Sequence, residues 1–272
     1  MIPLTYEKYK EYDGKEVSVA GVKFLLEKPV LNGTRPKDFQ LQTSTVYSFP
    51  KRGDWATHHL NSSYRGNFAP EIARNMILRY SRKGEIVFDP FCGSGTTLIE
   101  AKLLDRKPIG MDINKDSVLL SWNRLDFGKS NGAKLYIGDA RRMSRIRSDS
   151  IDFVLTHPPY ANIIRYSRRQ GDLSLLDRPS FIREMGQVAS EIYRILKPGK
   201  FFAMLIGDAR AGGKYRPIAY QAMKQVLGAG FSLKEDIIKL QWNCSSTGYW
   251  RSQSEKYNFH LIMHEHLFVF RK

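Results

Sequence analysis

The chain has 272 residues, of which 43 are Lys or Arg and 27 are Asp or Glu, giving a formal net charge of +16. This length suits one large α/β domain with insertions better than two full domains. A hydrophobic fraction of 42% provides for a sizeable core and excludes a wholly disordered chain. The excess of positive charge favours a polyanion as partner, and we expect nucleic acid.

Cysteine and histidine usage excludes several classes of protein. Cys92 and Cys244 are too few for a disulfide framework and lack the spacing to histidine that a zinc site needs. His264 and His266 alternate in an apolar stretch without a third convergent ligand, so we predict no metal. The first ten residues are polar, and no run of about 18 apolar residues occurs, which predicts a cytoplasmic protein without a membrane span.

The apolar pattern divides the chain into short alternating elements. Residues 1–31 predict a small strand or helix, and residues 36–66 predict loop. A predicted helix begins at Pro70. Further helices are predicted at 96–104, 115–124, 181–196 and 217–227, and strands at 86–88, 108–112, 134–137, 151–155, 201–206, 231–240 and 261–270. This alternation predicts a parallel sheet with helices on both faces, closed by an antiparallel pair.

Two segments at strand ends carry the chemistry. Residues 89–96, Asp-Pro-Phe-Cys-Gly-Ser-Gly-Thr, join a strand to a helix, and their glycines let the backbone approach a ligand closely. Dinucleotide-binding loops and ordinary turns share such a glycine pair. Residues 156–160, Thr-His-Pro-Pro-Tyr, follow a later strand, and the two prolines fix an extended backbone there.

Together these segments resemble the amino-methyltransferases of restriction and modification systems, which methylate exocyclic amines in DNA. The resemblance covers about residues 47–272 and implies a Rossmann-like class I methyltransferase of the α/β class, with a seven-stranded, mostly parallel sheet and S-adenosyl-L-methionine as cofactor. It divides the chain into an N-terminal appendage, 1–46, and a catalytic domain, 47–272. Recognition insertions are expected around 161–180, 207–216 and 241–258.

The resemblance also implies the site residues. The catalytic ones are His157, Pro158, Pro159 and Tyr160, where the polar side chain and the Pro158 carbonyl accept hydrogen bonds from the amine and Tyr160 stacks on a flipped base. Asp89 holds the cofactor's ammonium indirectly or through water, Asp112 the ribose and Asp139 the adenine amino group. The full cofactor set is Thr57, Asn67, Asp89, Pro90, Phe91, Gly93, Ser94, Gly95, Thr96, Asp112, Ile113, Asp139 and Ala140.

His157 departs from the family pattern, which has Asp, Asn or Ser at this position. A neutral imidazole accepts one hydrogen bond and takes up a proton, so we expect activity to fall at acid pH. Thr156 favours cytosine N4 over adenine N6 as the target. A tRNA or rRNA base methyltransferase and an inactive nucleic-acid-binding relative are the alternatives.

Basic and aromatic residues follow the strand ends in three stretches. Loops at the carboxyl ends of parallel strands border the ligand crevice, so these residues are expected to contact phosphates and bases, although 241–258 also fits a surface hairpin. In contrast, Arg141, Arg142, Arg145 and Arg147 are expected to be solvated. DNA is the favoured partner, and a homodimer and a cognate endonuclease are further expectations. The nucleic-acid-binding candidates are Arg165, Arg168, Arg169, Lys214, Arg216, Trp250 and Arg251.

Overall fold

The computed structural model describes residues 1–128, 132–243 and 247–272, so Cys244 and part of the predicted insertion 241–258 lie outside the described residues. The strands and helices are β1 (Ile2–Leu4), α1 (Tyr6–Lys10), β2 (Glu16–Val19), β3 (Val22–Leu25), β4 (Val46–Tyr47), α2 (Pro70–Tyr80), β5 (Ile86–Asp89), α3 (Thr96–Leu103), β6 (Lys107–Asp112), α4 (Lys115–Leu125), β7 (Lys134–Ile137), β8 (Ile151–Thr156), α5 (Arg178–Ile195), β9 (Leu196–Ile206), β10 (Ala209–Ala211), β11 (Lys214–Arg216), α6 (Ile218–Gly228), β12 (Ser232–Leu240), α7 (Thr247–Tyr257) and β13 (His264–Arg271). Short 3-10 helices cover His58–Asn61, Ala161–Ile163 and Leu173–Leu175.

The main sheet has nine strands in the order β1-β7-β6-β5-β8-β9-β13-β12-β4. The run from β7 to β9 is parallel, and β13 lies antiparallel between β9 and β12. The predicted α/β class and mostly parallel sheet are therefore confirmed. Two short strands extend the seven-stranded core: β1 pairs antiparallel with β7, and β4 pairs parallel with β12.

The core lies on both faces of this sheet, because β5 and β8 are apolar on both sides. Val87 and Phe153 pack with α2, whereas Phe88 and Val154 belong to the cluster formed with α5 and α6. Neighbouring residues of a strand point to opposite faces, so each strand serves two layers. The chain leaves β5 toward β6, while β8 pairs on the other side of β5, and this switch in direction opens a crevice at their carboxyl ends.

The N-terminal residues 1–27 pack on the β7 edge and on α4. The Trp122 indole donates a hydrogen bond to the Leu4 carbonyl over 2.7 Å, and the ring of Tyr9 stacks on Trp122 with centroids 6.4 Å apart. The Asp116 carboxylate accepts from the Ser18 amide over 3.2 Å. Burial of Tyr9 and of the adjoining apolar side chains therefore ties this region to the same core as α4.

Two sequence expectations differ from the structure. Strand β9 begins at Leu196, earlier than the predicted residue 201, because Lys197–Lys200 join the strand although Gly199 has φ +75°. The stretch 241–258, expected to be loop, contains helix α7, which buries none of its residues. Without an apolar stripe the helix gives no periodic signal, and helix propensity alone is weak. Within the described ranges, no helix has the length and apolar character needed to cross a membrane.

Candidate active site

One cleft with about 620 Å³ of empty space lies at the carboxyl ends of β5, β6, β7 and β8. The glycine loop (residues 89–96) and the diproline segment (residues 157–160), which are distant in sequence, border the same space. The predicted site residues on its wall are Pro90, Phe91, Gly93, Asp112, Ile113, Asp139, Ala140, His157 and Pro159. The other lining residues are Tyr64, Gly66, Ser117, Gly138, Tyr166, Gly171, Asp172 and Leu173, and the last four lie in the insertion expected around 161–180.

The glycine loop is shaped by backbone that only glycine adopts readily. Gly93 has φ +51°, and a Cβ there would lie 2.9 Å from the Tyr64 hydroxyl oxygen. The Gly93 amide donates to Asp112 Oδ2 over 3.1 Å, and the Gly93 carbonyl accepts from Ser121 over 2.8 Å. Bare backbone therefore borders the cleft at Gly93, held between β6 and α4.

Asp89 lies behind this wall rather than on it, as do Ser94, Gly95 and Thr96. Its carboxylate accepts from the hydroxyls of Thr97 and Thr156, each over 2.7 Å, and from the Phe91 amide over 3.0 Å. Burial raises the pKa of Asp89 to about 6. Because Thr156 directly precedes the diproline segment, Asp89 joins that segment to the glycine loop.

Asp112 presents a carboxylate to the cleft from the end of β6. Its oxygens accept from the amides of Gly93 and Asn114 over 3.1 and 2.8 Å, and lone pairs remain for a ligand. Burial raises the pKa of Asp112 to about 7. The group is thus a hydrogen-bonding partner suited to hydroxyl groups, at the position expected for a ribose.

Asp139 is held by Arg141, which the sequence indicated to be a solvated residue. Arg141 Nη2 and Nε lie 2.6 and 2.9 Å from the carboxylate, and the same guanidinium contacts Glu184 over 2.7 Å and the Gly171 carbonyl over 3.0 Å. Burial would raise the pKa of Asp139, but the hydrogen bonds from Arg141 outweigh it and lower the pKa. The expectation for Arg141 was therefore wrong, since it fixes one wall of the cleft.

Thr57 and Asn67 lie outside the cleft and position the segment that carries Tyr64 and Gly66. Thr57 donates to the Arg124 carbonyl over 2.8 Å, and Asn67 donates to the carbonyl of Asn61. A single buried acid, Glu100 of α3, anchors the same segment. Its carboxylate accepts hydrogen bonds from Trp55, His58 and Arg74 at 2.7, 2.9 and 2.9 Å.

The diproline segment places His157 and Pro159 on the cleft wall, while Pro158 and Tyr160 lie behind them. The Tyr160 ring lies against Gly207, where a Cβ would be 2.9 Å from it. The Tyr160 hydroxyl is 2.5 Å from His157 Nε2 and donates to Glu265 Oε1 over 2.7 Å. The stacking role expected for Tyr160 stays a prediction.

Glu265 and Lys239 belong to this site although the sequence did not point to them. Lys239 of β12 donates to Glu265 Oε2 over 2.7 Å, and Glu265 is 6% exposed. The available signal was a charged residue inside the apolar strand β13, which strand packing alone would also accommodate. Among the described residues, no cluster of His, Cys, Asp and Glu has the arrangement of a metal site.

The basic and aromatic candidates fall on two surface grooves or on exposed surface. Arg165, Arg168 and Arg169 line a surface groove that shares Tyr166 with the cleft. A second groove of about 1770 Å³ runs between the β10–β11 hairpin and α7, and its lining includes Ile163, three residues beyond Tyr160. Trp250, on this groove, is 49% exposed. Lys214 and Arg251 are exposed and Arg216 is partly buried.

The sheet order and the cleft at the carboxyl ends of its strands define the fold class of the S-adenosylmethionine-dependent methyltransferases. TrmN from Thermus thermophilus has the same fold, with a TM-score of 0.55 and 18% identity over 78% of this chain and 52% of its own. The model of the DNA methylase family matches residues 3–121 and 151–272, and the chain belongs to this family. The match begins at residue 3, well before the residue 47 expected from the sequence.

S-adenosyl-L-methionine is the cofactor, and the cleft fits it. Gly93 and Gly171 both line the cleft, and neither position has room for a side chain, because an added Cβ would lie 2.9 Å from Tyr64 or 3.1 Å from Arg141. Asp112 offers a carboxylate suited to hydroxyl groups beside this space.

The chain is also similar in sequence to methyltransferases of more than one kind. The Type II methyltransferase M.HpaI of Haemophilus parainfluenzae is 40% identical over 95 residues, which are 35% of this chain and 29% of the relative. A tRNA (guanine(10)-N2)-dimethyltransferase of Methanothermobacter thermautotrophicus is 33% identical over 98 residues, 36% of this chain and 29% of the relative. The chain therefore matches less than a third of the length of each.

Proposed function

We propose that the protein transfers a methyl group from S-adenosyl-L-methionine to the exocyclic amine of a base in DNA, with cytosine N4 favoured over adenine N6. One observation carries the proposal: His157 and Pro159 line the same cleft as Gly93 and Asp112. Methyl transfer to nitrogen requires that the amine and the cofactor be held in contact. A cleft lined both by an amine acceptor and by a cofactor loop meets this requirement.

Different residues of the cleft bind the cofactor and accept the proton. Asp112 accepts hydrogen bonds from the ribose hydroxyls, Asp139 accepts the adenine amino group beside Arg141, and Asp89 keeps the glycine loop and Thr156 in register. When bound, the cofactor would supply a sulfonium methyl group for transfer to the amine nitrogen, with the electron pair of the broken carbon–sulfur bond returning to sulfur. The methylated nitrogen then loses one proton, which His157 is positioned to accept.

The route for DNA follows the grooves around the cleft mouth. Arg165, Arg168 and Arg169 contact phosphates on one side, and the groove beside α7 offers Trp250 for stacking on the other. A target base inside a duplex cannot reach the cleft, so it must be flipped out of the helix. A restriction–modification setting, with a cognate endonuclease and a homodimer, fits the family and M.HpaI.

A second candidate function is methylation of a base in tRNA. It is favoured by the relative that dimethylates guanine in tRNA, whose matched segment is about as long as that of M.HpaI. The same cleft and amine acceptor serve either nucleic acid, since an exposed base presents the same edge in both.

The test supplies methyl-labelled cofactor with duplex DNA or with total RNA from the same cells. We expect label in DNA, recovered after digestion as N4-methyldeoxycytidine by mass spectrometry. Label only in RNA would select the second candidate. Cofactor binding without transfer to either would contradict both, and the His157→Phe variant controls for label carried by a contaminating enzyme.

A further inference from the structure

A chain of four hydrogen-bonded side chains runs from the sheet to the cleft. Lys239 Nζ lies 2.7 Å from Glu265 Oε2, Glu265 Oε1 accepts from the Tyr160 hydroxyl over 2.7 Å, and that hydroxyl lies 2.5 Å from His157 Nε2. The side chains of Lys239 and Glu265 are 17% and 8% exposed, so water competes little for these contacts. The chain connects β12 and β13 to the diproline segment.

The direction of each hydrogen bond follows from what each group is able to donate. An ammonium only donates, and Lys239 holds Glu265 in its ionised form. Burial opposes ionisation of Glu265, but the charge of Lys239 and the hydrogen bonds outweigh it and lower the pKa. Burial and the Glu265 charge raise the pKa of Tyr160, which therefore keeps its proton. A carboxylate only accepts, so the single Tyr160 proton points to Glu265.

This leaves one arrangement for His157. The Tyr160 oxygen has only lone pairs to offer toward the ring, so His157 Nε2 must carry a proton and donate it. His157 Nδ1 is buried and makes no contact of ordinary hydrogen-bond geometry within the described part of the chain, the Gly66 backbone lies near the ring, and the ring lines the cleft. A neutral ring with its proton on Nε2 has its lone pair on Nδ1.

The surroundings keep this ring neutral. Burial lowers the pKa of His157, and Lys239 acts in the same direction. Glu265 and the Gly66 backbone act in the opposite direction and do not outweigh the burial. The other contacts are the rings of Phe68 and Tyr160, whose centroids lie 5.6 and 5.3 Å from that of His157 and which carry no charge.

We propose that Lys239 and Glu265 are positioning residues that, through Tyr160, fix the proton of His157 on Nε2 and so present Nδ1 to the target amine as its acceptor. This inference rests on the proposed function and gives a reason for a histidine at a position where the family has Asp, Asn or Ser. Those side chains carry an acceptor oxygen in every state, whereas histidine needs its tautomer set by a second shell of contacts.

The Glu265→Gln variant is expected to reverse the direction of the hydrogen bonds between residue 265, Tyr160 and His157. Its amide oxygen would accept from Lys239 and its amide nitrogen would donate to the Tyr160 oxygen. The Tyr160 proton would then point to His157 Nε2, which moves the ring proton to Nδ1 and removes the acceptor. We expect kcat for methyl transfer to fall by at least about tenfold while the cofactor Kd stays within about twofold.

The tautomer is read directly on the full chain labelled with ¹⁵N-histidine. Long-range ¹H–¹⁵N spectra show which ring nitrogen carries the proton, and the spectrum of His157→Asn identifies the His157 signals. We expect Nε2–H in the wild type, Nδ1–H in Glu265→Gln, and no change in the matched surface variant Glu235→Gln on β12. Tyr160→Phe, which keeps the ring, is expected to give both tautomers and serves if Glu265→Gln fails to fold.

Three results would overturn the inference: a wild type with Nδ1–H, a wild type whose tautomers exchange freely, or an Nε2–H ring that neither Glu265→Gln nor Tyr160→Phe changes. Because this measurement needs no nucleic acid, it fails independently of the proposed function. Transfer to DNA with a freely exchanging tautomer would support the function and contradict the role of Glu265 and Lys239.

Discussion

The two walls of the cleft use polar side chains in opposite ways. On the wall proposed to hold the cofactor, called the cofactor wall, Asp89 and Asp139 have their oxygens largely occupied by protein donors. On the wall proposed to hold the target base, called the target wall, His157 Nδ1 is buried without a partner among the described residues, and Trp250, proposed to stack on the nucleic acid, is exposed. The carboxylates of Asp89 and Asp139 are thus largely paired before any ligand arrives, whereas His157 Nδ1 keeps its lone pair for a substrate.

This difference separates stability from chemistry. Buried polar groups that are already paired rigidify a site, and losing one partner leaves the other uncompensated. Exposed aromatic and basic side chains contribute little to folding but are available for binding. Substitutions on the cofactor wall should therefore alter folding, and those on the target wall should alter turnover or binding alone.

The largest expected effect is on turnover, from His157→Phe on the target wall. Loss of the acceptor should lower the methyl-transfer rate by about 10²- to 10⁴-fold, because a general base of this kind contributes that much. Single-turnover transfer to DNA measures the rate, and calorimetry should give an unchanged cofactor Kd. A normal rate in His157→Phe would contradict the assigned acceptor.

Two comparisons sharpen this result. His157→Asn retains an acceptor oxygen and should retain most of the rate. Because burial lowers the pKa of His157, the ring is neutral at pH 7, and wild-type kcat at saturating cofactor should fall only at acid pH. His157→Asn should lose this acid dependence, and a wild-type profile that falls at acid pH no more than that of His157→Asn would contradict a titrating His157.

The next effect is on folding, from Glu100→Ala behind the cofactor wall. His58 and Arg74 would lose their buried carboxylate, which should lower the free energy of unfolding by about 3–5 kcal/mol. Urea denaturation measures this change. As control, Glu255→Ala on exposed α7 should cost no more than about 0.5 kcal/mol, and equal losses in both variants would remove the contrast between the walls.

A smaller effect is on nucleic-acid binding, from Trp250→Ala on α7. Loss of one stacking ring should weaken DNA binding by about 1–3 kcal/mol and leave the unfolding free energy unchanged. Arg251→Ala should instead reduce the slope of log K against log salt by about 1, because one phosphate contact is lost. Titrations of fluorescent DNA at several salt concentrations distinguish the two, and unaltered binding in both would place the DNA elsewhere.

The last effect is a change in the pH dependence of stability, from Asp112→Asn. Burial raises the pKa of Asp112 from its ordinary 3.8 to about 7 in the folded protein. Between these values the folded state binds more protons than the unfolded state, so this group lowers stability as pH rises, by about 1 kcal/mol per pH unit. The difference in unfolding free energy between variant and wild type should therefore grow from about pH 4 to 7. If the unfolding free energies of variant and wild type changed in parallel with pH, the raised pKa of Asp112 would be contradicted.

Local sequence patterns were sufficient for the sheet and for both motifs. The apolar runs of β5 and β8 and the glycines and prolines after them are contiguous in the chain, so their conformational demands are readable without tertiary contacts. The edge strand β1, with three residues, and helix α7, without an apolar face, give no such signal. Strand β1 forms because it pairs with the edge strand β7. Helix α7 forms although none of its residues is buried.

The sequence by itself determined the class of fold, the glycine loop and the segment that carries His157, because each depends on the conformational preferences of neighbouring residues. Only the tertiary structure decided that Arg141 binds Glu184, 43 residues further along the chain, and that Glu265, 105 residues beyond Tyr160, binds its hydroxyl. Partners so distant along the chain meet through strand order, and the proton position on an imidazole depends on those partners rather than on its own sequence neighbours.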